Sequence, residues 1–177
     1  GCFHGDLSSP HSRYGPITQG EVAGSGLTYL ALGHSHAASG LQRAGQTYYA
    51  WPGCPEGRGF DEMGDKGVYI GHLEGDRLTL DFLPLALRRY LSPALDITGR
   101  DPAQALTEFL SGANPEDILR LRLVGAREEG PDLTALCALA AEQCYHVTLL
   151  DQTTLSQSLW ARREEDTLTG LFLRKMA

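Results

Sequence analysis

The sequence has little of three features that would each assign a class of protein directly. Its 177 residues contain only four cysteines, none in a CxxC pair, so a reduced cytoplasmic chain is expected. No apolar run approaches the ~18 residues needed to cross a bilayer. No charged and then apolar leader precedes the first residues. We therefore expect neither a membrane protein nor a secreted one.

Positive charge is also scarce. Fifteen basic and 22 acidic side chains give a formal net charge of −7, which excludes a bulk electrostatic attraction to nucleic acid. Any contact with DNA must therefore be local. In contrast, 42% of the residues are hydrophobic and 21% are charged, which excludes a disordered chain and fits one compact domain or two small ones.

Glycine and histidine are concentrated in the first part of the chain. Sixteen of the 21 glycines and five of the six histidines lie in residues 1–75. The apolar run 27–32 predicts a central strand buried on both faces, and 47–51 predicts another strand. Residues 68–72 and 77–83 alternate around a Glu-Gly-Asp turn and predict a hairpin.

Regular alternation of helix and strand begins after about Pro84. Apolar residues at helical spacing predict helices over 103–110 and 132–144. The period-2 pattern of 119–123 predicts a half-buried strand, and 146–150 predicts a further strand. The change from a glycine-rich, irregular pattern to regular helix and strand indicates two domains, residues 1–87 and 88–177.

Histidines stand at the ends of two predicted strands. Residues 1–6 resemble the tail of a buried strand running into a turn and contain His4, while His34 and His36 follow the predicted strand 27–32. His34 and His36 flank one serine, and residues i and i+2 of an extended chain face the same side, so their imidazoles can converge. Neutral imidazole binds Zn, Mn, Fe and Ni ions. Gly33 favours a site, because a residue without Cβ permits close approach. On the residues alone, a hydrogen-bonded or solvated pair stays open, as does a structural role for His4.

Three segments together carry a resemblance to a known family. Gly33-His34-Ser35-His36 resembles the GHxH motif of calcineurin-like metallophosphoesterases, and Phe3-His4-Gly5-Asp6 resembles their earlier single-histidine motif. The longer stretch 52–62, followed by Gly64-Asp65-Lys66-Gly67, is similar to the SbcD-like branch of DNA-repair exonucleases.

The resemblance implies an α/β fold and a function. Residues 1–87 would be the C-terminal half of a metallophosphoesterase β-sandwich flanked by helices, and 88–177 a small α+β capping domain that positions DNA. The enzyme would hydrolyse DNA phosphodiester bonds with the help of two divalent ions. Mn²⁺ is the expected metal, and Fe or Zn ions are the alternatives. His4 and His34 would ligate one ion and His36 the other. An ABC-type ATPase partner and a homodimer are also implied.

The sequence departs from the family pattern in the upstream motifs. It has no Asp-x-His, no Gly-Asp-x-x-Asp and no Gly-Asn-His, which should supply the bridging carboxylate, the asparagine and the catalytic histidine. No catalytic residue is therefore assigned. We expect the chain to be the C-terminal portion of a longer enzyme, with little or no phosphodiesterase activity by itself.

The glycine-rich loop permits two interpretations. Arg58 and Lys66 are candidate contacts to a nucleic-acid phosphate backbone. Alternatively, the loop folds tightly, with Phe60 in the core and with Asp61 and Glu62 capping neighbouring backbone. Two other functions also stay open, namely hydrolysis of a small phosphoester and a non-catalytic binding or scaffold module whose histidines are structural.

Overall fold

The computed structural model describes residues 1–7, 11–75, 77–156 and 161–176. The chain divides into two compact units, residues 1–89 and 90–177. The sequence places a boundary after residue 87. The assignment of the two units to a nuclease part and a capping part stays a prediction.

The first unit is built on a four-stranded sheet of order β1-β2-β4-β3. Its strands are β1 (Cys2–His4), β2 (Tyr29–Gly33), β3 (Gln42–Ala44) and β4 (Thr47–Ala50). Strands β1, β2 and β4 run parallel, while β3 is antiparallel to β4. The prediction that the central strand is buried on both faces is wrong: Leu30 and Leu32 are buried, but Tyr29, Ala31 and Gly33 are only half-buried.

A short helix covers one face of this sheet. Helix α1 (Gln19–Gly24) begins with a capping box, in which Thr18 and Glu21 satisfy each other's backbone N–H groups. Its Val22 is 2% exposed and belongs to the core of the unit. The other buried members of this core are Leu30, Leu32, Ala44 and Tyr49.

The predicted hairpin is present as β5 (Gly67–Glu74) and β6 (Arg77–Pro84). Gly75 begins its turn in the left-handed conformation, with a φ of 58° that favours glycine. The remaining turn residue, Asp76, lies outside the described residues.

The second unit is a parallel sheet with helical crossovers. Strands β7 (Tyr90–Leu91) and β8 (Ala94–Asp96) pair with successive parts of β9 (Ile118–Arg127), and β10 (His146–Leu155) lies on its other side. All of these pairs are parallel, and parallel neighbours require crossover connections. Helices α2 (Pro102–Ser111) and α3 (Leu133–Ala141) supply them, whereas a 3₁₀ turn (Arg162–Glu164) and α4 (Leu168–Met176) follow. The unit is therefore α/β in type, which corrects the expected α+β arrangement.

Alternation along β9 explains where this second core forms. Leu119, Leu121 and Leu123 are fully buried, whereas the intervening Arg120 and Arg122 are half-buried, as the sequence pattern predicts. An aspartate caps the N-terminus of each crossover helix. The Asp101 carboxylate accepts the Gln104 backbone N–H at 2.8 Å in α2, and the Asp132 carboxylate accepts the Thr134 backbone N–H at 3.0 Å in α3. Across the described ranges, no helix is both long and apolar enough to cross a membrane.

Candidate metal centre

Two histidines meet where neighbouring parallel strands end. His4 is the last residue of β1 and is in register with Gly33, the last residue of β2. The carboxyl ends of parallel strands share one edge of a sheet, where open α/β sheets place their ligand sites. The rings of His4 and His34 lie there with centroids 5.6 Å apart and planes at 75°. The structure thus brings together two of the three predicted ligands.

Gly33 makes this approach possible. A Cβ atom at Gly33 would lie 2.9 Å from His4 Nδ1, which is closer than side-chain atoms pack. The indole N–H of Trp51 then ties the two strand ends together, because it donates to the carbonyl oxygens of Gly5 at 3.2 Å and of Gly33 at 3.0 Å. The Trp51 side chain therefore holds together the backbone on which the two histidines lie.

His34 leaves the extended conformation. Its φ of 105° lies in a region that side-chain-bearing residues rarely adopt, and such outliers cluster at functional sites. Its ring stacks on Tyr14 with centroids 5.3 Å apart, and Nε2 lies 3.8 Å from an Asp6 carboxylate oxygen. The expectation that extended backbone sets His34 and His36 on one side is wrong, because the backbone turns at His34.

His36 has a separate set of contacts. Its ring Nδ1 is hydrogen-bonded to a carboxylate oxygen of Glu62. Glu62 also accepts the Arg58 backbone N–H at 2.9 Å, and this bond, followed by the bond to His36, lowers the pKa of the Glu62 carboxyl. An ionised carboxylate only accepts hydrogen bonds, so Nδ1 must carry the proton. In the neutral ring, the lone pair of His36 is then on Nε2, on a side chain that is 58% exposed.

The two predicted nucleic-acid contacts differ in their surroundings. Lys66 is 7% exposed, and its ammonium group donates to the His36 carbonyl oxygen at 3.1 Å, so its geometry gives no support to a phosphate contact. Arg58 is exposed, and its proposed role stays a prediction. Glu62 caps the Arg58 backbone, which is the behaviour expected of a tightly folded loop.

The donors fit one side of a metal centre. Within the ranges that the structure describes, no group of three or more His, Cys, Asp or Glu side chains could hold a metal ion. The imidazoles of His4 and His34 are nevertheless adjacent, and the bond of His36 Nδ1 to Glu62 leaves Nε2 as the donor atom of its neutral ring, a chemistry suited to Mn, Fe or Zn. Of these three histidines, His34 lines a cleft of about 430 Å³, together with Asp6, Ser35, Ala37, Ala38, Ser39 and Trp51.

Sequence reasoning missed the partners of these histidines. Glu62 lies 26 residues beyond His36, and nothing in the spacing of the two indicates contact. Tyr14 lies in a stretch without periodicity, and the strand predicted over 47–51 indicates no partner for Trp51. These contacts depend on how the loops fold back on the sheet edge.

Comparison with known proteins finds a partial similarity. No family model matches the chain. It is 31% identical over 112 residues to an uncharacterized metallophosphoesterase, YhaO, of Bacillus subtilis (strain 168). The alignment covers 62% of this chain and 27% of that relative, so the chain spans about a quarter of the curated protein it matches. The chain is therefore similar to part of a protein named as a metallophosphoesterase.

Proposed function

We propose that this chain supplies one side of a divalent-metal centre in a phosphoester hydrolase and that the substrate is a DNA phosphodiester. The observation that carries the proposal is the juxtaposition of the His4 and His34 rings, 5.6 Å apart at the end of two parallel strands. The motif resemblance and the similarity to a metallophosphoesterase support it.

The histidines have distinct roles in this proposal. His4 and His34 would hold one ion and His36 the other, with Mn²⁺ as the proposed metal. When bound, divalent ions neutralise phosphate charge and lower the pKa of water to produce a nucleophile. Trp51 keeps the two strand ends together through its indole N–H, which maintains the positions of His4 and His34.

A DNA substrate must be recognised locally, because the net charge of −7 opposes general attraction to a polyanion. Arg58 is exposed on the loop that contacts His36, so its guanidinium is the proposed phosphate contact. The ABC-type ATPase partner and the homodimer stay predictions from the family resemblance.

Calorimetry with Mn²⁺ tests the metal centre. Wild-type chain should give a saturable heat, and the double variant His34→Ala/His36→Ala should not. His72→Ala is the matched control, because His72 lies in the β5–β6 hairpin, and it should bind as wild type does. Identical heats for all three proteins would contradict a metal centre and would favour a non-catalytic scaffold.

Salt titration of DNA binding tests the substrate. Affinity for a labelled duplex, followed by fluorescence anisotropy, should fall steeply with salt because phosphate contacts release counterions. Arg58→Gln should reduce the slope of log K against log salt by about 1. Arg77→Gln, which changes another exposed arginine of the same unit, should leave it unchanged. Absence of salt-sensitive binding would contradict DNA as the substrate and would leave a small phosphoester.

A further inference from the structure

The loop between β4 and β5, residues 51–66, folds back onto His36. Three of its side chains reach this one residue. Glu62 is hydrogen-bonded to the ring Nδ1, while Lys66 Nζ and Cys54 Sγ lie 3.1 Å and 3.5 Å from the carbonyl oxygen. His36 is therefore held at its ring and at its backbone by residues that follow it at long sequence separation.

The burial of these partners is costly. Glu62 is 9% exposed and Lys66 is 7% exposed, whereas the side chain of His36 itself is 58% exposed. Burial of charged groups is unfavourable unless they are hydrogen-bonded. A surface histidine could be satisfied by water and would need no buried carboxylate. Two buried charged side chains, Glu62 and Lys66, therefore fix the position of a histidine whose ring is accessible to solvent.

The Glu62 carboxylate is itself fixed in place. One oxygen is hydrogen-bonded to His36, and the other accepts the Arg58 backbone N–H at 2.9 Å and lies 3.8 Å from Cys54 Sγ. The carboxylate cannot rotate away from the ring without the loss of these bonds. The tautomer of a neutral imidazole is set by the hydrogen bond that one of its nitrogens makes.

We propose that Glu62 is a positioning residue that holds His36 in the Nδ1–H tautomer and so presents Nε2 as the electron-pair donor for a divalent ion. The inference rests on the proposed function in its assignment of His36 as a ligand. Lys66 complements Glu62, because its bond to the His36 carbonyl oxygen restricts the backbone from which the ring projects. Partners of this kind orient ligand imidazoles, and their loss typically weakens metal binding by about 10- to 100-fold.

Nitrogen NMR of the metal-free chain tests the tautomer directly. With ¹⁵N-labelled histidine at about pH 8, where an ordinary imidazole is neutral, long-range ¹H–¹⁵N correlations should show His36 protonated on Nδ1. Glu62→Ala should give a mixture of tautomers. Glu62→Gln should lower the Nδ1–H fraction relative to wild type, because its amide has one acceptor oxygen for two donors, the His36 ring and the Arg58 backbone N–H. Asp61→Ala, which removes the adjacent acid, should match wild type. An Nε2–H tautomer in wild type would overturn the proposal whether or not the variants fold.

Mn²⁺ calorimetry on the same proteins separates this inference from the proposed function. Glu62→Ala should weaken Mn²⁺ binding about 10- to 100-fold, and Asp61→Ala should change it less than about twofold. Wild-type binding that Glu62→Ala leaves unchanged would overturn the positioning role and leave the metal centre in place. If the wild-type chain does not bind Mn²⁺, the metal centre is contradicted. The role of Glu62 in positioning a metal ligand is then contradicted as well, even if the NMR shows the Nδ1–H tautomer.

Discussion

Replacement of Gly33 by alanine tests whether close backbone packing forms the His4–His34 pair. The new Cβ would lie 2.9 Å from His4 Nδ1, 3.7 Å from Cγ and 3.8 Å from Cε1. Favourable contacts begin near 3.5 Å, so the His4 ring must move by about 0.6 Å or more. Gly33 is not in the left-handed region, so alanine meets no backbone strain there.

The cost of this change can be estimated from its two opposing terms. Overpacking destabilises the folded state by about 1–3 kcal/mol. The substitution also reduces the conformational entropy of the unfolded chain, which stabilises the folded state by about 0.4–1 kcal/mol. Gly33→Ala should therefore lower the free energy of unfolding by about 0–2.6 kcal/mol, with a central value of about 1.3 kcal/mol. Gly24→Ala is the control, because a Cβ there meets nothing within 4 Å, and it should be neutral or slightly stabilising.

Urea denaturation and NMR together give the result. Gly33→Ala should unfold at lower urea than Gly24→Ala, and the ring resonances of His4 and His34 should shift while those of His72 do not. Equal stability of the two variants, with unchanged His4 and His34 resonances, would refute the packing argument.

Three further predictions follow from the same region. His34→Gly should be more stable to urea than His34→Ala by about 1 kcal/mol, because only glycine adopts a φ of 105° without strain; equal stabilities would show that the conformation is unstrained. Trp51→Phe should lose about 1–2 kcal/mol in the same assay, because the Gly5 and Gly33 carbonyl groups lose their indole donor; an unchanged midpoint would contradict this. The chain by itself should cleave duplex DNA little or not at all in Mn²⁺, since its described residues contain no three-ligand group; robust cleavage that EDTA abolishes would contradict that expectation.

Helices α2 and α3 and strands β9 and β10 of the second unit were predictable from sequence because their signals are local, whereas the short strands β7 and β8 were not. Alternation of Leu119, Leu121 and Leu123 with arginines identifies a strand that has one buried face, and the observed burial follows this alternation.

Strand β3 of the first unit was not predicted, because Gln42–Ala44 has neither alternation nor β-branched residues. It forms because Gly45, with a φ of 58°, turns the chain back along β4.

The site was predictable only in part. The proximity of His4 and His34 follows from two parallel strands that end at one edge, which the sequence indicates. The contact of His36 with Glu62 does not, because it depends on an irregular loop that no periodicity describes. The separate contacts of His34 and His36 also escape sequence reasoning, because they depend on one unusual backbone angle. Ligation of a metal by these histidines stays a prediction.

Paramagnetic broadening by Mn²⁺ tests most directly whether His4, His34 and His36 face a common metal centre. Substoichiometric Mn²⁺ added to the ¹⁵N-histidine-labelled chain relaxes nearby nuclei even where binding is loose. We expect the ring resonances of His4, His34 and His36 to broaden first, while that of His72 stays sharp. Equal broadening of these four rings, or sharp resonances for the first three while that of His72 broadens, would contradict a common metal centre.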